Sequence, residues 1–221
     1  MQDGRPKLAC DDWIISYAPS LSVLRSCVAR GGALRTCWPA RMLAISNPTG
    51  DLPYAAWEVE HIAREFPGDV TELGGPGNGR RPATTASVGR LLPEHEIALF
   101  ATHAEYDAMR PWTGSRILLA ATGKKKRVGD SLRKVKLMEH ELGSSTNPKE
   151  SVVGNLDSVA PSAEALSLRE VYAWDLSSNW LTFLSTCESA ISDLRDPTCE
   201  QIGWPGAFVE AGATTGIGSV W

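Results

Sequence analysis

Two short apolar segments, each ending in a reactive side chain, are the features of this sequence that most constrain its fold. Residues 97–103 run through an apolar stretch of strand length to a histidine, and residues 180–187 run through a similar stretch to a cysteine. Short apolar runs of this kind are typical of buried strands in a parallel sheet that is covered on both faces. Chemistry in such sheets gathers beyond the carboxyl ends of the strands. If the two strands are neighbours, His103 and Cys187 can meet there as a base and a nucleophile.

Strand and helix patterns alternate along the rest of the chain. The predicted strands are residues 13–18, 41–46, 70–73, 96–102, 116–120, 180–185 and 215–220. The predicted helices are residues 21–30, 53–66, 84–92, 166–174 and 201–213. Gly31, Gly32 and Pro39 are expected to break the chain after the first of them. Strands that alternate with helices imply right-handed crossovers and a largely parallel sheet sandwiched by helices. We therefore predict an α/β fold.

The composition excludes several classes of protein. A chain of 221 residues, 43% hydrophobic and 22% charged, is typical of one globular domain. A formal net charge of −4 gives no general electrostatic footprint for direct contact with nucleic acid. The sequence has neither an apolar segment of membrane-spanning length nor, in residues 1–7, the apolar core of a signal peptide. Five cysteines, an odd number without a closely spaced pair, favour a reducing compartment, so a cytoplasmic location is expected.

The motifs around the two reactive residues resemble those of CHAT-domain peptidases, which are relatives of caspases and separases. Phe-Ala-Thr-His at 100–103, followed by Glu105 and Asp107, looks like the histidine block of that family. Leu-Ser-Thr-Cys-Glu-Ser at 184–189 looks like its cysteine block. The two blocks in this order are more specific than either one alone.

The resemblance extends over most of the chain and implies an architecture. Further matches lie at residues 16–20, 46–53, 202–213 and 218–221. The fold implied is a caspase-like three-layer sandwich with a mostly parallel sheet flanked by helices. Family members usually continue with further helix and strand elements after the strand that ends at Trp221, so a C-terminally truncated or minimal domain is expected.

The resemblance also implies a chemistry, that of a cysteine endopeptidase that uses neither a metal nor a cofactor. Cys187 would attack the peptide carbonyl, and His103 would take the proton and deliver it to the leaving amine. In the resembling family the oxyanion is held by the backbone N–H groups of the cysteine and of the residue after the histidine, here Cys187 and Ala104. Many relatives have glycine after the histidine, where a backbone without Cβ allows unusual dihedral angles. Alanine at this position therefore puts the placement of the second donor in question.

Four carboxylates flank the two reactive residues in sequence, namely Glu105, Asp107, Glu188 and Asp193. One of them could orient His103 or form a pocket for a basic substrate side chain, as in relatives that cut after arginine. The alternative is that they are solvated loop acids that cap helices, which is the commoner case. Asp107 and Glu188 are retained as candidate substrate-binding residues.

The stretch at about 121–165 departs from the rest of the domain. It is polar, poor in aromatic residues, rich in lysine and arginine over residues 124–136, and longer than a usual connection. One interpretation is a regulatory or substrate-facing insertion, in the place where caspase relatives carry a cleavable linker. The other is a solvated loop. We predict a single domain over residues 1–221 that contains this insertion.

The remaining cysteines, namely Cys10, Cys27, Cys37 and Cys199, are most simply core or surface thiols, because no closely spaced pair offers zinc ligands.

Three functions stay open. The leading one is an endopeptidase that cleaves specific protein substrates and is regulated by a partner protein or by the tetratricopeptide-type repeats that often accompany this family. The second is a catalytically inactive interaction module in a signalling assembly. The third, a flavodoxin-like small-molecule binder, explains the sheet but not the two blocks.

Overall fold

The protein forms a three-layer α/β sandwich. The computed structural model describes residue 12 and residues 18–34, 39–75, 79–121, 163–190 and 202–219. Its strands are β1 (Arg41–Ser46), β2 (Asp69–Gly74), β3 (Arg81–Pro82), β4 (Ile97–Ala101), β5 (Ala104–Glu105), β6 (Arg116–Leu119), β7 (Glu164–Ser167), β8 (Leu181–Ser185) and β9 (Thr215–Gly218). Its helices are α1 (Leu21–Leu34), α2 (Pro53–Glu65), α3 (Thr85–Leu91), which continues as a 3₁₀ turn (Leu92–Glu94), α4 (Pro111–Gly114), α5 (Leu168–Tyr172) and α6 (Trp204–Glu210).

The main sheet has six strands in the order β3-β2-β1-β4-β8-β9, and all of its pairs are parallel. The two strands that lead to the reactive residues, β4 and β8, are direct neighbours. The predicted α/β sandwich with a mostly parallel sheet flanked by helices is confirmed. Strand β4 is central, which accounts for its continuous apolar sequence, because a central parallel strand is buried on both faces.

Successive residues of β4 pack on opposite sides of the sheet, as the twofold period of a strand requires. Leu99 packs in the cluster that contains Val59 of α2. Phe100 packs on the other side, where its ring centroid lies 5.4 Å from that of Phe208 on α6. Full burial of a phenylalanine side chain contributes roughly 1.5–3 kcal/mol. Helices α3 and α5 contribute to the same cluster as α6, so each face of the sheet has a helical layer.

A second sheet is antiparallel and was not expected from the sequence pattern. Its order is β5-β6-β7. The helix predicted over 166–174 is wrong in its first part, because Glu164–Ser167 pairs with β6 as strand β7. Helix α5 begins only at Leu168, after a capping box in which Ser167 accepts a hydrogen bond from the Glu170 N–H and the Glu170 carboxylate accepts one from the Ser167 N–H.

The predicted break at Gly31 and Gly32 is also wrong, since α1 continues to Leu34. A tertiary contact is made at Arg30, directly before the two glycines. The guanidinium of Arg30 donates to the carbonyl oxygens of Val209 (3.3 Å) and Ala213 (3.1 Å), at the end of α6. Val209 lies in the last turn of α6 and Ala213 lies three residues after that helix, so this contact joins α1 to the C-terminal end of α6, where a cation is favoured.

Several predictions fall wholly or mostly outside the described residues. They concern the strand at 13–18, the polar insertion, Asp193 and the cysteines Cys10, Cys37 and Cys199. Among the helices that the structure describes, none combines the length and the apolar character needed to cross a membrane.

Candidate active site

Strands β4 and β8 end in register at one edge of the main sheet. Ala101 pairs with Ser185, and the histidine and the cysteine each follow two residues later. Because the carboxyl ends of parallel strands share an edge, His103 and Cys187 lie at the ends of adjacent strands, as the sequence predicts. The Cys187 side chain is exposed, whereas only 17% of the His103 side chain is accessible.

Hydrogen bonds from two serine hydroxyls hold the turn that carries Cys187. Ser189 is fully buried, and its hydroxyl lies 3.0 Å from the carbonyl oxygen of Thr186 and 3.2 Å from that of Leu184. The hydroxyl of Ser219 donates to the same Thr186 carbonyl at 2.6 Å, and the Ser219 N–H donates to the Ser189 hydroxyl at 2.9 Å. The segment after β9 therefore closes over the turn and fixes the backbone on both sides of the cysteine.

Glu188, the residue after the cysteine, has a left-handed backbone conformation with φ 54°. This conformation is uncommon for a residue other than glycine, and such residues cluster at functional sites. The Glu188 carboxylate accepts a hydrogen bond from the Tyr106 N–H at 3.3 Å, so it links the cysteine turn to the segment after His103. A role for Glu188 in substrate binding stays a prediction.

The structure places an unpredicted carboxylate, Asp51, against the candidate base. Its Oδ2 and Oδ1 atoms lie 3.1 and 3.2 Å from Nε2 of His103. Asp51 belongs to the loop that follows β1, and β1 is the other neighbour of β4. The turn residues that follow the 41–46 strand are the sequence signal that could have indicated Asp51. A loop at the carboxyl end of a parallel strand next to β4 reaches the edge of the sheet where His103 lies.

The loop after β1 has a defined hydrogen-bonded shape. Asn47 adopts a left-handed conformation with φ 44°, which asparagine tolerates better than most residues. Its side-chain oxygen accepts hydrogen bonds from the N–H groups of Gly50 (3.0 Å) and Leu52 (2.9 Å). The Thr49 hydroxyl donates to the carboxylate of Asp51. These hydrogen bonds therefore hold the turn that carries the Asp51 carboxylate.

The hydrogen bonds of Asp51 favour its charged form. Partial burial by itself raises the pKa of the Asp51 carboxyl, but the hydrogen bonds from Thr49 and His103 and the charge of His103 together hold the pKa below its ordinary value. Asp51 is therefore a carboxylate at neutral pH, and it can only accept hydrogen bonds.

The carboxylates at positions 105 and 107 have other partners. Glu105 forms an ion pair with Arg116 at 2.7 Å. Asp107 accepts hydrogen bonds from the N–H groups of Met109 (2.9 Å) and Arg110 (3.0 Å), which is the capping arrangement of a loop acid. The contact that the structure describes for the His103 ring is with Asp51, and a role for Asp107 in substrate binding stays a prediction.

Alanine fits at position 104 without backbone strain. The described residues other than glycine that have a positive φ are Asn47 and Glu188, so Ala104 does not need the freedom of glycine. Ala104 pairs with Ile117, and the Leu118 N–H donates to the His103 carbonyl at 2.9 Å. This pattern makes Ala104 a non-hydrogen-bonded position of the ladder, so its N–H points away from β6. The geometry is compatible with an oxyanion donor at Ala104.

The chain matches one known family over nearly its whole length. The family model of the CHAT domain matches the sequence over residues 7–221, a range that contains Asp51, His103 and Cys187. No curated protein matches the chain.

Proposed function

Because the chain belongs to the CHAT-domain family, a caspase-like peptidase family, we propose that it is a cysteine endopeptidase that cleaves specific protein substrates with Cys187 and His103. The observation that carries this proposal is the register of β4 and β8, which brings the imidazole and the thiol to the ends of adjacent strands. The exposure of Cys187 supports it, because a nucleophile has to be reached by a polypeptide substrate.

The reaction would proceed by acyl transfer through the cysteine. His103 takes the thiol proton of Cys187, and the sulfur attacks the carbonyl carbon of the scissile peptide bond. The carbonyl electrons move to the oxygen, which the N–H groups of Cys187 and Ala104 stabilise, and removal of one such donor typically costs about 10²–10³ in rate. Collapse of this intermediate breaks the C–N bond while His103 protonates the leaving amine. Water then hydrolyses the thioester with His103 as the base, which restores the thiol.

An inactive interaction module is the second candidate, and one observation favours it. Among the hydrogen bonds of the described residues, none joins the His103 ring to the sulfur of Cys187. Catalytic hydrogen bonds are often long before substrate binds and tighten in the complex, so this geometry is also compatible with a peptidase in the absence of substrate. A reactivity measurement separates the two candidates.

The partner and the location belong to the same proposal. We propose that a regulatory protein or adjoining tetratricopeptide-type repeats control access to the site, and that the protein works in the cytoplasm. The family resemblance and the odd number of cysteines, without a closely spaced pair in the sequence, support these two points.

The test is the alkylation rate of each cysteine by iodoacetamide, followed by labelling with peptidyl electrophiles. We expect Cys187 to react faster than Cys27, and we expect His103→Ala to slow Cys187 by about tenfold or more, since a positioned base contributes about 10²–10⁴-fold in turnover. His61→Ala is the matched control, because His61 is exposed on α2 and its ring stacks on Trp57. If Cys187 reacts no faster than Cys27, or if His103→Ala leaves its rate unchanged, the peptidase proposal fails.

A further inference from the structure

We propose that Asp51 is a positioning residue that holds the imidazole of His103 in the tautomer and orientation needed for proton transfer with Cys187. This inference rests on the proposed function, because it concerns the same imidazole. It adds a third member, from a different loop, to the pair of His103 and Cys187.

The contact selects one form of the ring. A neutral imidazole carries its proton on one of its two nitrogens, and the hydrogen bond at one nitrogen decides the form of the other. Asp51 is a carboxylate and only accepts, so Nε2 of His103 has to carry the proton that it donates. Nδ1 is then free of a proton and is the ring nitrogen left to face Cys187. This is the tautomer that a base needs to take a thiol proton.

The carboxylate is held firmly enough to orient a ring. Both of its oxygens lie within hydrogen-bond distance of the same nitrogen, so a small rotation of the carboxylate keeps the contact. The Asn47 side chain closes the loop on one side of Asp51, and the Thr49 hydroxyl binds the carboxylate itself. On the other side the chain enters α2, where Glu58 accepts a hydrogen bond from Ser185 at 2.9 Å, two residues before the cysteine. The loop and the cysteine strand are thereby tied to the same helix.

The partial exposure of the pair sets the size of the effect. The accessible fraction is 36% for the Asp51 side chain and 17% for that of His103. Solvent and salt weaken the direct charge attraction at such a site, so the main contribution of Asp51 is geometric. We therefore expect a loss of roughly tenfold in Cys187 reactivity on removal of the carboxylate, and not the complete loss expected for removal of the nucleophile.

Asp51→Asn is the informative variant because it keeps the shape of the side chain. The asparagine amide can donate to Nε2 and thereby stabilise the opposite tautomer, which has its proton on Nδ1. The control is Asp175→Asn, since Asp175 is an exposed carboxylate that accepts a hydrogen bond from the Ser177 N–H (3.0 Å). The probe is iodoacetamide, which carries no basic side chain and so reports on the thiol and its base alone.

We expect Asp51→Asn to slow alkylation of Cys187 about tenfold at pH 7, and Asp175→Asn to stay within about twofold of the unmodified protein. Asp51→Glu is expected to recover part of the rate. The double variant Asp51→Asn/His103→Ala should be no slower than His103→Ala, because residues that act through one another are not additive. Nitrogen-15 NMR of the imidazole in the unmodified protein should show the proton on Nε2, a result that requires no substitution.

The failure of this inference can be told apart from the failure of the proposed function. If His103→Ala slows alkylation but Asp51→Asn does not, the peptidase proposal stands and the role of Asp51 is refuted. If Asp51→Asn speeds alkylation, the carboxylate holds His103 away from the thiol, which also refutes it. Slower cleavage of substrates with a basic side chain, with unchanged iodoacetamide kinetics, would make Asp51 a binding residue instead. A proton on Nδ1 of His103 in the unmodified protein overturns the inference directly. If neither His103→Ala nor Asp51→Asn changes the alkylation rate of Cys187, both proposals are refuted.

Discussion

Ser189→Ala tests whether the turn that carries the candidate nucleophile is held by hydrogen bonds. The Ser189 hydroxyl is fully buried, lies 3.0 Å from the Thr186 carbonyl oxygen and accepts a hydrogen bond from the Ser219 N–H at 2.9 Å. Alanine removes both contacts and the one to the Leu184 carbonyl (3.2 Å), and it changes the volume of the side chain little. The Thr186 carbonyl keeps a donor, the Ser219 hydroxyl, but the Ser219 N–H loses its acceptor at 189.

The cost follows from the hydrogen bonds that are lost. A typical intramolecular hydrogen bond contributes roughly 0.5–1.5 kcal/mol to stability. For a chain of this size each kcal/mol lowers the melting temperature by about 2–4 °C. If 1 kcal/mol of this hydrogen bonding holds Cys187 in its reactive position, the loss of Ser189 reduces the reactive fraction about fivefold, since 1.36 kcal/mol corresponds to a factor of ten.

The assay combines thermal unfolding with the iodoacetamide rate at Cys187, measured by intact mass and peptide mapping. The matched control is Thr182→Val, which lies on β8, the strand that leads to Cys187. Thr182 is also fully buried, and its hydroxyl donates to the Asn179 side-chain oxygen at 2.9 Å. It lies three residues, or about 10 Å, before the end of β8 at Ser185. We expect both variants to lose stability and only Ser189→Ala to lose reactivity.

The refuting result is specific. If Ser189→Ala and Thr182→Val lose similar stability and both keep the reactivity of Cys187 within about twofold, the serine contacts do not set the position of the cysteine. The turn would then be held by its backbone alone.

Three further substitutions test the surroundings of the site, the stability of α1 and the pH dependence of stability. A Cβ atom at Gly75 would lie 2.7 Å from the carbonyl oxygen of Pro48, in the loop that carries Asp51, so Gly75→Ala should cost about 1–3 kcal/mol and slow Cys187 alkylation several-fold. If the Gly75→Ala variant keeps the alkylation rate of the unmodified protein, the contact between Gly75 and the Asp51 loop does not affect the site. Gly32→Ala, whose Cβ would meet nothing within 4 Å, should stabilise α1 by about 0.5–1 kcal/mol in the same melting experiment. Burial raises the pKa of Glu96, but hydrogen bonds from Arg41 outweigh it and hold the pKa below its ordinary value, so this carboxylate stabilises the fold above about pH 4.3 and loses its contribution as the pH falls through the lowered pKa. Because the Arg41 side chain is 48% exposed, urea titrations should show a cost of only about 0.5 kcal/mol for Glu96→Gln at pH 7, and an equal cost at pH 3 would show that the ion pair is not its source.

The sequence by itself determined the elements in which hydrophobic pattern and turn chemistry agree. Strand β1 has the predicted bounds, Arg41–Ser46, because its apolar run is followed at once by the turn residues Asn-Pro-Thr-Gly. The apolar runs that lead to His103 and Cys187 are likewise strands. Strand β4 is buried on both faces, whereas in β8 the buried residues Thr182 and Leu184 alternate with half-buried ones. Strand β7 could not be predicted in this way, because four residues that end in a capping box become a strand only when β6 lies beside them.

Only the tertiary structure decided which side chains contact the residues that follow β4 and β8. Asp51 reaches His103 across 52 positions of sequence, and the acids closer in sequence, Glu105 and Asp107, bind arginines instead. A local sequence pattern shows which side chains can accept a hydrogen bond. Which of them contacts His103 depends on the order of strands, because that order places the loop after β1 beside the end of β4. The sequence determined the candidate residues His103 and Cys187 and the strands that carry them, whereas the strand order decided which carboxylate contacts the imidazole.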